Sequence, residues 1–169
     1  IDTGKSANEA AEALFFITSA GLKGADATDV LNASLKASAV GLGETKTIAD
    51  LATSAMNAYG KENLSASDAT DILVSAVKLG KLEASALAGA MGGVIPIASN
   101  MGVGFDQVGA AMAAMSKTGT NAAEGATQLN AILTSIANPT QQAEDAFNKM
   151  GFTTDSLKET LAEEGLMGT

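Results

Sequence analysis

Apolar residues recur at three- and four-residue spacing through almost every segment of this chain. A glycine or proline nevertheless interrupts them roughly every 20 residues, at Gly21, Gly41, Gly60, Gly80, Gly102, Gly119 and Pro139. That spacing is the period of one helix face, and no stretch shows the apolar-polar alternation of a strand. Each break stands where a helix would end, because glycine enters the left-handed backbone region at little steric cost and proline cannot continue a helix. The pattern predicts an all-α fold of about eight to nine short Ala/Gly-rich helices with no β-sheet, packed as a compact bundle or short helical solenoid. It excludes a coiled coil, since no a/d heptad survives such interruptions.

Helices are expected near residues 6–20, 26–39, 46–59, 66–79, 83–92, 104–117, 121–137, 140–150 and 154–163. Start signals follow the breaks: Ser6 with Glu9, Asp26 with Asp29, Thr47 with Asp50 and Ser65 with Asp68 each place a capping oxygen ahead of a first-turn carboxylate. The core-facing stripes run through Leu14, Phe15 and Ile17; Val30, Leu31 and Leu35; Ile48, Leu51 and Met56; Ile72, Leu73 and Val77; Met112 and Met115; Leu129, Ile132, Leu133 and Ile136; and Phe147 and Met150. Alanines between them let helix backbones approach closely. A chain of 169 residues suits one domain and can bury roughly 70% of its unfolded surface. A sub-boundary is expected near residues 96–102, and 153–169 is expected to lead as a linker into a following region. The first residue is Ile1, not Met, which points to a piece of a longer chain.

Residues 84–105, ASALAGAMGGVIPIASNMGVGF, carry no charged side chain. Their length would allow a membrane span, and Gly89 and Gly93 form a G-x-x-x-G pair of the helix-dimerising kind. Ser85, Ser99, Asn100, Pro96 and the glycines dilute the large apolar side chains, and alanine and glycine gain little from lipid. Buried protein core is the favoured reading, with conditional membrane insertion as the alternative. In a core, Val94, Ile95 and Ile97 should be buried, Pro96 should mark a helix break, and Gly92, Gly93 and Gly102 should permit close helix contacts or turns.

Cysteine and histidine are both absent, which removes thiol nucleophiles, disulfides, the common zinc ligands and the usual neutral-pH general base. The ten basic residues are all lysine against nineteen acids, for a net charge of -9. Such a chain should repel DNA, and one Tyr, no Trp and five Phe give few platforms for stacked bases. TGKS at residues 3–6 resembles the end of a phosphate-binding loop whose first glycine would lie before Ile1, but no strand is visible and no acidic Walker-type strand follows, so Ser6 as a helix cap is favoured. GLGETKT at residues 41–47 is an inter-helix turn. The carboxylate pairs Glu163 with Glu164, Glu144 with Asp145 and Asp68 with Asp71 lie in first turns or on polar faces, where acids are ordinary. Met56, Met91, Met101, Met112, Met115, Met150 and Met167 are expected mostly to fill core gaps. No catalytic, cofactor-binding or metal site is expected.

Two runs carry a resemblance: ANEAAEALFFITSAGLKGADATDVLNASLKASAVGLGETKTIADLATSAMNAYG, and LAGAMGGVIPIASNMGVGFDQVGAAMAAMSKTGTNAAEGATQLNAILTSIANPT. Their order of elements resembles the core region of phage tail tape measure proteins. These elements are the Ala20-Gly21 turn, the G-x-V-x-P-x-A segment from Gly92 or Gly93 to Ala98, the Gly102-Val103 and Thr118-Gly119 turns, the Ala126-Thr127-x-Leu129 helix, and Asn138-Pro139-Thr140. The likeness covers about residues 6–152, and it is the order and spacing that are specific.

The resemblance implies a structural virion protein of long-tailed phages, active in phage or prophage tail assembly. Such a protein sets tail length, occupies the tail tube and is released during genome ejection. It implies location in the virion tail and, during assembly, in the host cytoplasm. The implied partners are the tail tube, tail tip, assembly chaperones and further copies of the chain, with transient contact to the host membrane and no nucleic-acid binding. It carries no catalytic residues. Gly21, Gly41, Gly60, Gly80, Gly93, Pro96, Gly102, Gly119 and Pro139 are then structural turn or kink positions. A ruler should be one long helix, whereas this chain stops its helix at each break, so the expectation is a folded module flanking the ruler. An acidic all-α interaction module of a cellular protein is the alternative.

Overall fold

The computed structural model describes residues 4–166; Ile1, Thr3 of the TGKS motif and Met167 lie outside the described residues. Ten helices and no strand occur among them: α1 Ala7–Ser19, α2 Gly24–Ala39, α3 Thr45–Tyr59, α4 Ala66–Leu79, α5 Ala84–Met91, α6 Ile95–Asn100, α7 Phe105–Lys117, α8 Ala122–Ala137, α9 Gln141–Lys149 and α10 Thr154–Glu164. The helix beyond the expected number is α6. Pro96 does not end a helix but stands in the first turn of α6, where its missing N–H and fixed φ cost nothing. The break itself falls just before it, between Met91 and Ile95.

Ser6 and Ser65 cap α1 and α4 as expected, accepting from the N–H groups of Glu9 and Asp68 at 3.2 and 3.1 Å. Asp26 and Thr47 are not caps. α2 and α3 start earlier, at Gly24 and Thr45, so both residues lie inside the first turn. Thr45 is fully buried and its hydroxyl donates to Glu9 Oε1 at 2.6 Å, fastening the start of α3 to α1.

Helix ends repeat one device. After α1, the N–H of Gly21 bonds to the carbonyl of Thr18 at 3.1 Å and that of Leu22 to Ile17 at 3.3 Å. Gly41 and Leu42 do the same after α2, and Gly102 and Val103 after α6. This is the Schellman closure, which needs a left-handed residue and places an apolar side chain just beyond it. The glycines supply φ of +95°, +91° and +75°, and Leu22, Leu42 and Val103 are buried at 1%, 3% and 0% exposure. Each break therefore also adds a core residue.

α2 and α3 each pack on α1, on α4 and on one another, α4 packs on α7, and α8 packs on α5, α6, α7 and α10. α5 and α6 touch α3 on one side and α8 on the other, so the uncharged segment lies at the middle of the molecule. One hydrophobic cluster runs from Ala13 in α1 to Leu161 in α10.

Four expected core residues are on the surface: Leu14 (38% exposed), Phe15 (67%), Ile132 (49%) and Met150 (64%). α1 buries only the line through Ala13 and Ile17, four residues apart, and the adjacent Leu14 and Phe15 are turned away from it by the helical twist. Phe16 is partly covered instead by the Lys46 ammonium, 4.1 Å from its ring centre. Met150 follows α9, a helix with no buried residue.

Glu9 accepts from Thr45 and lies 3.5 Å from Lys5. The Thr45 hydrogen bond, with help from Lys5, holds its carboxyl below the usual value of 4.5. A depressed folded-state value means stability that is present above the unfolded value and lost as pH falls through the folded one. Glu9→Gln keeps an acceptor for Thr45 and removes the charge. The midpoint gap between wild type and Glu9→Gln in thermal scans should be open at pH 7 and close below pH 4.5; a gap constant with pH would contradict the coupling.

Candidate functional site

The uncharged segment is held by its neighbours at three backbone points. Tyr59 at the end of α3 donates its hydroxyl to the carbonyl of Val103 at 2.9 Å. Ser99 donates to the carbonyl of Ala58 at 2.6 Å, and Asn130 on α8 donates Nδ2 to the carbonyl of Gly93 at 2.8 Å. Each satisfies a carbonyl at a turn or helix end, where the backbone has no helical partner of its own. Burial first, and the Asp106 carboxylate second, push the Tyr59 phenol up to about 12, so it stays a protonated donor. Its ring packs against Phe105 at 5.9 Å between centres.

Leu87, Met91, Val94, Ile95, Ala98, Val103 and Phe105 are all buried, and Ile97 is partly buried. Gly89, Gly92 and Gly93 are exposed, and a Cβ added at Gly89 or Gly92 meets nothing within 4 Å, so neither is forced by close packing. Among the described residues no helix is long and apolar enough to cross a membrane.

The remaining turn positions separate by cause. Gly60 and Gly119 have φ of +86° and +100°. Gly80 has an extended backbone, φ -94° and ψ -170°. What selects glycine there is space: a Cβ would lie 2.6 Å from Ser116 Oγ, 2.9 Å from the carbonyl of Ala76 and 3.1 Å from Cα of Ala113. The same Ser116 Oγ accepts from the N–H of Lys81 at 2.9 Å, latching the end of α4 to α7. Pro139 lies between Asn138, which closes α8, and Thr140, which caps α9.

No chemistry converges at the motifs weighed above. Lys5 pairs with Glu9 and Ser6 caps α1, with no strand beside them. Asp68 accepts from the Ser65 hydroxyl at 2.7 Å as part of the α4 cap. No three Asp or Glu among the described residues gather where a metal ion could be held.

A family described as "Phage-related minor tail protein" matches residues 1–168. The chain is 28% identical over 149 residues to a protein named "Tape measure protein" from Pneumococcus phage Dp-1, an alignment covering 88% of this chain. It spans 13% of the length of that relative. No solved structure matches it significantly.

Proposed function

This chain belongs to the phage-related minor tail protein family, and from that membership we propose that it is a folded segment of a tail tape measure protein. The observation that carries the proposal is the match over almost the whole chain, joined by the tape measure relative. In this role the protein is structural, without a catalytic step, and works in the virion tail after assembly in the host cytoplasm. It takes part in setting tail length and leaves the tail during genome ejection. Its partners are the tail tube, the tail tip, assembly chaperones and further copies of itself. The charge of -9 with no arginine suits a protein sharing a channel with DNA without adhering to it.

Residues 1–169 act as one unit in this reading, since the hydrophobic cluster reaches from α1 to α10. The unit flanks the ruler and is not a length of it. The buried positions of Val94 and Ile95 favour core over membrane for the uncharged stretch, and contact with the host membrane would require that core to open during ejection.

The test is tail length. A second in-frame copy of the segment in the parent phage gene would lengthen tails by roughly 250 Å if these residues formed continuous ruler helix, at 1.5 Å per residue. The expected result is tails of unchanged length, with the segment detected in purified tails. Lengthening by roughly 250 Å, or absence of the segment from tails, would contradict the proposal.

A further inference from the structure

A groove of about 660 Å³ lies between α2 and α4. Lys61 Nζ stands 2.9 Å from Asp26 Oδ2, tying the first turn of α2 to the residues that lead into α4, so the two helices run side by side in the same direction. Ala33, Met56 and Val74 give the groove an apolar floor. Asp29 and Asp71 stand toward one end, Lys36 and Lys78 toward the other, and none of these four makes an ion pair among the described residues. On each helix the acid and the lysine are about 10 Å apart along the axis, and Ala33 and Val74 lie near the midpoint.

α9 is the counterpart. It packs extensively against no other helix of the described residues and has no fully buried residue, although Ala143 and Phe147 are half-buried and Met150 is 64% exposed. Ala143, Phe147 and Met150, at i, i+4 and i+7, form an apolar ridge, with Glu144 toward its start and Lys149 at its end.

We propose that α9 of one copy docks in the α2–α4 groove of a second copy, antiparallel to both groove helices. This rests on the self-association proposed above and assigns its contact. With Phe147 seated over Ala33 and Val74, Glu144 falls about 4.5 Å along the axis toward Lys36 and Lys78, while Lys149, two residues beyond Phe147, lies on the far face of α9 and stays in solvent. The reverse orientation would set Glu144 toward Asp29 and Asp71, so this one charge selects the direction. The antiparallel arrangement also brings the positive end of α9 to the negative ends of α2 and α4. Helix and groove are different surfaces of one chain, so two copies either satisfy both contacts reciprocally across a two-fold axis or leave one helix and one groove free for further copies. One nine-residue helix in one groove belongs to the small, weak class of interfaces.

Sedimentation of the 169-residue chain tests this, because its hydrophobic cluster closes within the chain. Wild type should associate reversibly as concentration rises, stopping at the dimer if the two contacts are reciprocal and growing beyond it if they are not. Lys36→Glu with Lys78→Glu in the groove, and Phe147→Asp on the ridge, should each weaken association about tenfold or more. Met150→Glu, at a side chain 64% exposed, repeats the ridge test without touching the core. The thermal midpoint of Met150→Glu should stay near the wild-type value, and the Lys→Glu reversals in the last turns of α2 and α4 and Phe147→Asp should lower it only modestly, so association is compared where every variant is folded. An equimolar mixture of groove and ridge variants should form a one-to-one pair that grows no further, since one intact helix meets one intact groove. Variants that associate as tightly as wild type, or a mixture that forms no pair, would overturn this contact while leaving self-association standing. A wild type monomeric at about 1 mM would remove self-association itself.

Discussion

Ile95→Asp should remove a large part of the stability of this protein. Ile95 is 2% exposed, at the first position of α6 in the middle of the molecule, between helices of the N-terminal half and α8. The substitution deletes a buried aliphatic side chain and leaves a carboxylate without a partner in a low-dielectric site. The charge alone costs on the order of 3–5 kcal/mol when unpaired, against a total of about 5–15 kcal/mol for an ordinary domain. At about 2–4 °C per kcal/mol for a chain of this size, the thermal midpoint should fall by about 10 °C or more. The same experiment separates core from membrane segment. If Ile95→Asp left the midpoint unchanged while abolishing liposome leakage by wild type, the uncharged stretch would be exposed and directed at membranes.

The second large effect is at the other end of the chain. Leu161 on α10 is fully buried and belongs to the same cluster as Ala13 on α1. α10 packs on α8, carries a Thr153–Ser156 capping box, and is followed by Leu166, whose N–H bonds to Gln107 Oε1 at 2.9 Å. If residues 153–166 are part of the folded unit, Leu161→Ala should cost about 2–5 kcal/mol, read from the urea midpoint at unchanged slope. A cost below about 1 kcal/mol would mean that α10 behaves as a linker helix docked without consequence for the core.

The all-helical fold was legible because apolar period and glycine breaks agree, and consistent local signals are what specify helices. Nine of the ten helices follow from that pattern. α6 is the exception: Pro96 signals a break, but proline is equally at home in a first turn, and only the neighbouring backbone decides on which side of it a helix lies. Leu22 and Leu42 are absent from the expected core stripes, yet the signal is present: an apolar residue directly after a helix-ending glycine is the Schellman partner.

The surface errors have a different cause. Leu14 and Phe15 are as apolar as Ile17 beside them, and composition cannot say how narrow a stripe an outer helix buries. The spacing places Gly80 at a helix end, where it stands after α4, but what selects glycine there is the approach of Ser116 and Ala113, 33 or more residues away in sequence. Such long-range contacts leave no periodic trace. The α2–α4 groove was equally out of reach, because its acids and lysines belong to two helices that only the fold sets side by side.

The central claim is that these residues form a folded module and not a length of continuous ruler helix. X-ray scattering from the 169-residue chain in dilute solution tests it most directly. A folded chain of this length has a radius of gyration of about 15 Å. That is the value expected here, with a small rise at high concentration if α9 finds the groove of a second copy. One continuous helix would be a rod of roughly 250 Å with a radius of gyration of roughly 70 Å, and a scattering profile of that form would contradict the account.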